Sequence, residues 1–281
     1  MPATTRPDPI RIMSIEDERL DVYRNVRDKD LAGLEKIFMA ESEMVLRRLL
    51  RTPYRIESVL LSPDRFENLK SSLEALPAEV PVYVANVDLM TEVAGFHIHR
   101  GVLAAGKRLH PTQLFLDPAL GHLRGRDNLT LLVAERFTNV DNMGTLFRNA
   151  AAFGADAIAL DPKCCDPLYR KAIRVSMGHV LSVPYGIMRH YPTDLNRLKS
   201  EWGCTLIGAE LTEDSKPLWE LEHHDRLAII FGSEADGLSE EAVRACDAIY
   251  QIPMNETVPS INVAVTSAVF LYERQRGITA R

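Results

Sequence analysis

The 281-residue sequence predicts an α/β fold built on a mainly parallel sheet, and three observations carry that prediction. From residue 129 onward, short apolar runs alternate regularly with helical patterns, as consecutive β–α units do. Loops containing Gly, Asn and Ser follow several of those runs and open helices, the arrangement that puts sites at strand carboxyl ends. The composition is 46% hydrophobic and 26% charged, which suits an ordinary globular chain that buries its own core without disulfide or metal.

The first hundred residues mix helical and strand patterns. Asp30 to Leu50 reads as helical, with Leu31, Leu34, Ile37 and Phe38 at helical spacing. Ser58 to Ser62 is a short apolar strand stopped by Pro63. Val80 to Val84 is another, and Pro81 points to a sheet edge. Gly95 to Gly101 is a loop, followed by the apolar Val102 to Ala105. Pro111, Pro118, Gly121 and Gly125 make residues 109–128 the best linker, so the chain divides into 10–108, a linker at 109–128, and 129–281. In the second part, Leu129–Ala134, Ala157–Leu160, Thr205–Ala209, Leu227–Phe231 and Ala248–Ile252 are strands. Met143–Phe153, Leu168–Met177 and Asn262–Gln275 are helices. Ser239 caps a further helix through Cys246, with Glu240 and Glu241 in the first turn, where the helix dipole favours anions.

The net charge of −6 argues against a protein that coats nucleic acid by bulk charge. The excess is unevenly placed: residues 1–110 hold 16 basic and 17 acidic side chains, residues 111–281 hold 17 and 22. Arg47, Arg51 and Arg55 fall four apart beside Arg48, but Pro53 interrupts the helix that would align them. A solvated face explains them as well as an RNA contact does. Cys164, Cys165, Cys204 and Cys246 form no C-x-x-C pair, so free thiols are expected and a zinc site is not. No basic start leads into an apolar run and no apolar stretch is long enough to span a bilayer, which makes the cytoplasm the expected compartment.

Three segments carry the chemistry. In the first, Asn139 to Gly154, Asn142 is placed to cap a helix, Gly144 permits close approach, and Arg148 interrupts an otherwise apolar run. Alone, Arg148 reads as a snorkelling surface residue. The second, Phe231 to Ser239, sets Glu234 between Gly232 and Gly237 after an apolar strand; it is neither a dinucleotide fingerprint nor a P-loop. In the third, Ile252-Pro253-Met254-Asn255 is followed by Ser260-Ile261-Asn262-Val263-Ala264-Val265, with Ser260 or Asn262 as helix cap. Val265, Ala268, Val269 and Tyr272 form the stripe of that last helix, fit for core or for a dimer interface.

These segments, in order N-x-G-x-x-x-R, F-G-S-E-x-x-G-L-S, then I-P-M with S-I-N-V-A-V, resemble the three signature motifs of the SpoU (TrmH) family of RNA 2′-O-ribose methyltransferases, of the SPOUT superfamily. Arg174 to Gly178 also resembles a family segment, and the likeness spans residues 129–276. More faintly, Asp30 to Gly106 is similar to the ribosomal-protein-like substrate-binding domain often fused in front. Many members carry Asp-Pro or Asn-Pro where this chain has Asn139-Val140.

The resemblance implies a C-terminal α/β domain with a deep trefoil knot, working as a homodimer, behind a smaller α/β N-terminal RNA-binding domain. It implies S-adenosylmethionine held by main-chain groups of Gly232, Ile252 and Ile261, and methyl transfer to a ribose 2′-hydroxyl without a metal. Arg148 takes the family's catalytic position; Asn142 would orient Arg148 or the ribose, and Glu234, Ser260 and Asn262 would order the loops and meet the target nucleotide. The fused domain favours ribosomal RNA as substrate, with transfer RNA as the alternative. A catalytically silent RNA-binding or ribosome-assembly protein on the same scaffold, or an unrelated enzyme acting on small nucleotides, are the rival readings.

Overall fold

In the computed structural model, which describes residues 8–24, 36–98, 100–255, 257–258 and 260–279, the apolar runs of the chain become the strands of two sheets. The chain separates into two compact units, residues 1–109 with 168–182, and residues 110–167 with 183–281.

The first unit carries β1 (Ile10–Arg11), β2 (Ile37–Glu41), α1 (Glu43–Leu49), β3 (Ile56–Leu61), α2 (Pro63–Leu73), β4 (Val82–Val84), α3 (Val87–Ala94) and β5 (Val102–Lys107). Its sheet runs β1-β4-β3-β5-β2, parallel among the first three and antiparallel across β5. The expected helix over 30–50 gives way here. Residues 30–35 lie outside the described residues, residues 37–41 are a strand, and only 43–49 are helical. The helical spacing misleads because β2 is buried on both faces: Ile37 and Met39 enter the core with Leu60 and Tyr83, while Phe38 turns away to meet the Tyr54 ring edge-on at 5.2 Å. A strand apolar on both sides shows no period of two. Pro63 stops β3 by opening α2, where its fixed φ suits a first helical turn. Pro81 does not mark an edge: it precedes β4, which lies between β1 and β3. Helix α1 ends at Leu49, so Arg51 and Arg55 lie beyond it, and Arg47 pairs with Glu43 at 2.9 Å.

The second unit carries α4 (Leu116–Leu120), β6 (Leu129–Ala134), α5 (Val140–Phe153), β7 (Ala157–Leu160), β8 (Tyr185–Ile187), α7 (Thr193–Ser200), β9 (Thr205–Ala209), β10 (Lys216–Pro217), β11 (Arg226–Phe231), α8 (Glu240–Ala245), β12 (Ala248–Gln251) and α9 (Val263–Thr279). The intervening helix α6 (Arg170–Val175) clusters with the first unit and packs on β2. It covers only the middle of the helix expected from Leu168 to Met177. All pairings in the seven-stranded sheet, ordered β10-β12-β9-β11-β6-β7-β8, are parallel. The central strands β6 and β11 are buried nearly throughout, as parallel strands covered on both faces are. The expected linker is folded: residues 111–123 form short helices whose Leu116, Leu120 and Leu123 join the core with Leu129, Leu131 and Trp202. Pro111 and Gly121 open short helices and Pro118 sits in the first turn of α4, so the proline and glycine start helical turns rather than a linker, and the three leucines are buried.

Candidate active site

The site forms where β9, β11 and β12 end. Phe231 closes the buried run of β11, and the chain then doubles back: the Ser233 and Gly237 backbones exchange two hydrogen bonds, each 3.1 Å. Gly232 faces that closure so tightly that an added Cβ would overlap the Gly237 carbonyl. Gly237 has φ of 67°, a conformation that favours glycine, and its own Cβ would strike the Glu210 carboxylate. Glu210, at the end of β9, uses that carboxylate to accept from the Leu238 N–H at 2.8 Å and the Leu211 N–H at 2.9 Å. The buried Glu135 accepts from the Ser239 N–H at 3.0 Å. The Ser239 hydroxyl accepts from the Ala242 N–H and caps α8, as the sequence predicts. The turn is therefore pinned from both sides by carboxylates.

A chain of three side chains ties the three motifs together. Asn142 Nδ2 donates to Glu234 Oε1 at 2.5 Å, and Asn262 Nδ2 donates to Asn142 Oδ1 at 2.9 Å. Asn262 Oδ1 in turn accepts from the Ala264 N–H at 2.9 Å and so caps α9. Asn142 is 5% exposed, which makes each of these bonds expensive to lose. This corrects the capping role expected of Asn142. The cap of α5 is Asn139, which accepts from the Asp141 N–H at 2.8 Å; the helix begins at Val140, and Asn142 faces inward from its first turn. Val140 occupies the first helical position, where the proline common in the family it resembles would also be accommodated.

A cavity of about 470 Å³ opens over these loops. Gly232, Ile252, Ile261, Glu234, Ser260 and Asn262, six of the eight site residues expected from the sequence, line it. Asn142 lies behind the lining as the link between Glu234 and Asn262. Arg148 stands apart: it is exposed and makes no hydrogen bond to Asn142, Glu234, Ser260 or Asn262. Within the chain the Asn142 amide bonds Glu234 and Asn262 rather than Arg148. Sequence reasoning missed Glu210, Tyr250 and Phe270 of the lining. Glu210 had one readable signal, an acid directly after an apolar strand; Tyr250 and Phe270 lie within the patterns of β12 and α9 and had none.

The thiols are structural. Burial pushes Cys164, Cys165 and Cys246 up to about 12 and Cys204 to about 11. Cys164 accepts from the Phe137 N–H and donates to the Ala134 carbonyl, both at 3.3 Å. All four are free cysteines. Among the described residues, no three His, Cys, Asp or Glu side chains are grouped to hold a metal ion, and no helix is long and apolar enough to cross a membrane.

Comparison with known proteins agrees with this geometry. Residues 130–272 match the model of the SpoU rRNA methylase family. An uncharacterized tRNA/rRNA methyltransferase of Mycobacterium bovis is 35% identical over 280 residues, covering 96% of this chain and 94% of the relative. The 23S rRNA (guanosine-2′-O-)-methyltransferase RlmB of Acinetobacter baylyi is 30% identical over 240 residues, 79% of this chain and 95% of its own. The crystal structure of an AdoMet-bound rRNA methyltransferase from Sinorhizobium meliloti superposes with a TM-score of 0.78 at 20% identity, covering 95% of this chain and 97% of that one, and so has the same fold. With three converging loops at the carboxyl ends of a parallel sheet and a family match over the same residues, this chain belongs to the SpoU rRNA methylase family.

Proposed function

We propose that the protein transfers the methyl group of S-adenosylmethionine to a ribose 2′-hydroxyl of RNA, with ribosomal RNA as the substrate. The observation that carries this is the Glu234–Asn142–Asn262 chain, which locks the three family motifs around one cavity. The relatives named for 23S rRNA 2′-O-methylation support the RNA class. Those named tRNA/rRNA methyltransferases keep transfer RNA as the second reading.

The cavity suits the cofactor. Its volume of about 470 Å³ falls in the range of small-molecule sites, roughly 300–1,000 Å³. Ile252, Ile261 and Phe270 offer apolar surface to a purine, and the main chain around Gly232 offers amides and carbonyls. Bound there, S-adenosylmethionine supplies an activated methyl group on sulfur. The residues do the rest. The asparagine chain holds the loops rigid, so that positioning contributes to the rate. Arg148 grips the phosphate beside the target ribose and stabilises the alkoxide as it forms; a guanidinium has no lone pair to take a proton, so the proton leaves through that phosphate or water.

Arg148 reaches a site as part of a dimer in this reading. The next residue, Asn149, bonds the Ala264 carbonyl at 2.7 Å and the Ser267 hydroxyl at 2.9 Å, which sets α5 beside α9. Val265, Val269 and Tyr272 of α9 are exposed there, 52%, 37% and 59%. A second copy covering that apolar stripe would bring its Arg148 to the first copy's cavity. The same reading assigns RNA binding to the N-terminal unit, a knotted path to the C-terminal one, and the cytoplasm as place of work.

The test is to incubate the purified protein with isotope-labelled S-adenosylmethionine and with separate ribosomal and transfer RNA fractions, then map 2′-O-methyl marks. Label in ribosomal RNA is expected. Label in transfer RNA alone selects the second reading, and cofactor binding without transfer to either sinks both.

A further inference from the structure

We infer that Arg136 is a contact for a backbone phosphate of the RNA substrate, held in reserve by Asp236; this rests on the methyl-transfer reading above. A second cavity, about 420 Å³, shares the wall Ser233 to Asp236 with the first and is closed on its other side by Arg136, Thr138 and Asn139. Arg136 lines this second cavity and not the first, so its charge is placed for something other than the ligand of the first.

Three features point to an anion there. Arg136 has φ of 52°, in the left-handed region where an L side chain is disfavoured and glycine is at ease. Its backbone is pinned, with the Arg136 N–H donating to the buried Asp161 carboxylate at 3.0 Å, so the side chain leaves the turn in a set direction. Its guanidinium is also underused. Of five N–H donors, one makes a long 3.4 Å bond to Asp236 Oδ2. The buried Nε lies 3.5 Å from Glu135 Oε1 without a hydrogen bond.

The two carboxylates differ in kind. Glu135 is buried and fixed by its bond from Ser239, so it anchors the inner side of the guanidinium. Asp236 is 68% exposed on the side chain and sits at the far limit of bonding distance. An incoming phosphodiester offers Arg136 two oxygens in the planar geometry that guanidinium matches, and it displaces Asp236 into water. Glu234 also lines the cavity, but its carboxylate is engaged by Asn142. Asp236 therefore occupies the phosphate position until RNA arrives, which raises the threshold for stray anions.

The experiment compares wild type, Arg136→Gly and Asp236→Asn. Each is tested against a transcript of bacterial large-subunit ribosomal RNA across a salt series, and against S-adenosylmethionine by calorimetry. Glycine suits the backbone at 136, so Arg136→Gly should fold with an unchanged or raised Tm. It should bind RNA about threefold to tenfold more weakly, with the slope of log affinity against log salt shallower by about 0.7, the value of one phosphate contact to a single strand. Its affinity for S-adenosylmethionine should not move. Asp236→Asn should bind RNA more tightly. If Arg136→Gly loses Tm and leaves RNA affinity and salt slope as in wild type, Arg136 is an ion-pair strut and the inference is wrong. Weaker S-adenosylmethionine binding with unchanged RNA binding overturns it equally. A wild-type protein that binds neither ligand removes the methyl-transfer reading as well, whereas normal wild-type transfer with an indifferent Arg136 removes this inference alone.

Discussion

The two units of the chain solve the same packing problem differently. The C-terminal unit builds one all-parallel sheet, so its loops gather at strand carboxyl ends and three of them meet over a cavity. The N-terminal unit mixes parallel and antiparallel pairs, and its core holds a buried hydrogen bond between the distant residues Tyr23 Oη and Ser58 Oγ at 2.7 Å. The comparison teaches that catalytic geometry here follows from strand direction. A parallel sheet concentrates loop ends, and the alternation in the first unit disperses them.

The largest effect that would sharpen this contrast is expected from Arg148→Ala. Loss of a group that stabilises developing charge should lower kcat by about 10²–10³-fold, with S-adenosylmethionine affinity unchanged, measured by methyl transfer and calorimetry. Near wild-type turnover would remove Arg148 from the mechanism. If Arg148 works across a dimer, mixing Arg148→Ala with Asn142→Ala subunits should restore activity, since one site of each mixed pair is intact. Val269→Asp should convert a dimer to monomers in light scattering and abolish that rescue. In the N-terminal unit, Leu60→Ala empties a fully buried core position and should lower stability by about 2–5 kcal/mol in denaturant titration, while the folded fraction keeps its kcat. A fall in kcat at full folding would break the division of labour between the units. Asn142→Ala leaves Glu234 and Asn262 short of a partner and should lower stability by about 1–3 kcal/mol, with a larger proportional loss of activity. The smallest effect comes from pH. Burial raises all four thiols above the ordinary value of about 8.5, so their contribution to stability is complete below that pH and declines as pH rises through about 11 to 12. Denaturation midpoints measured upward from pH 8 should fall, and less steeply in a variant with all four cysteines replaced by alanine.

How much of this was legible depended on the region. The strands of the second unit were readable because unbroken apolar runs such as Leu129–Ala134 and Leu227–Phe231 have no competing helical period. Six of the lining residues were readable because loop chemistry is local: Gly232 and Gly237 are required by the turn itself, and Asn262 by the helix it caps. The run Ile37–Glu41 was not readable, because a strand buried on both faces shows the same apolar density as a helix. Nor were residues 111–123, where leucines buried by distant strands override turn-forming composition.

The sequence by itself determined the α/β class, the central strands of the parallel sheet and the family, since these rest on runs, caps and motifs that span a few residues each. The tertiary structure alone decided that Asn142 is a strut rather than a cap, that Glu210 braces the Gly237 turn, and that Arg148 is exposed and shares no hydrogen bond with the asparagine chain. Each of these depends on which residues far apart in the chain come within hydrogen-bond reach. That is set by how β6, β9, β11 and β12 are ordered in the sheet, and strand order is not written in local periodicity.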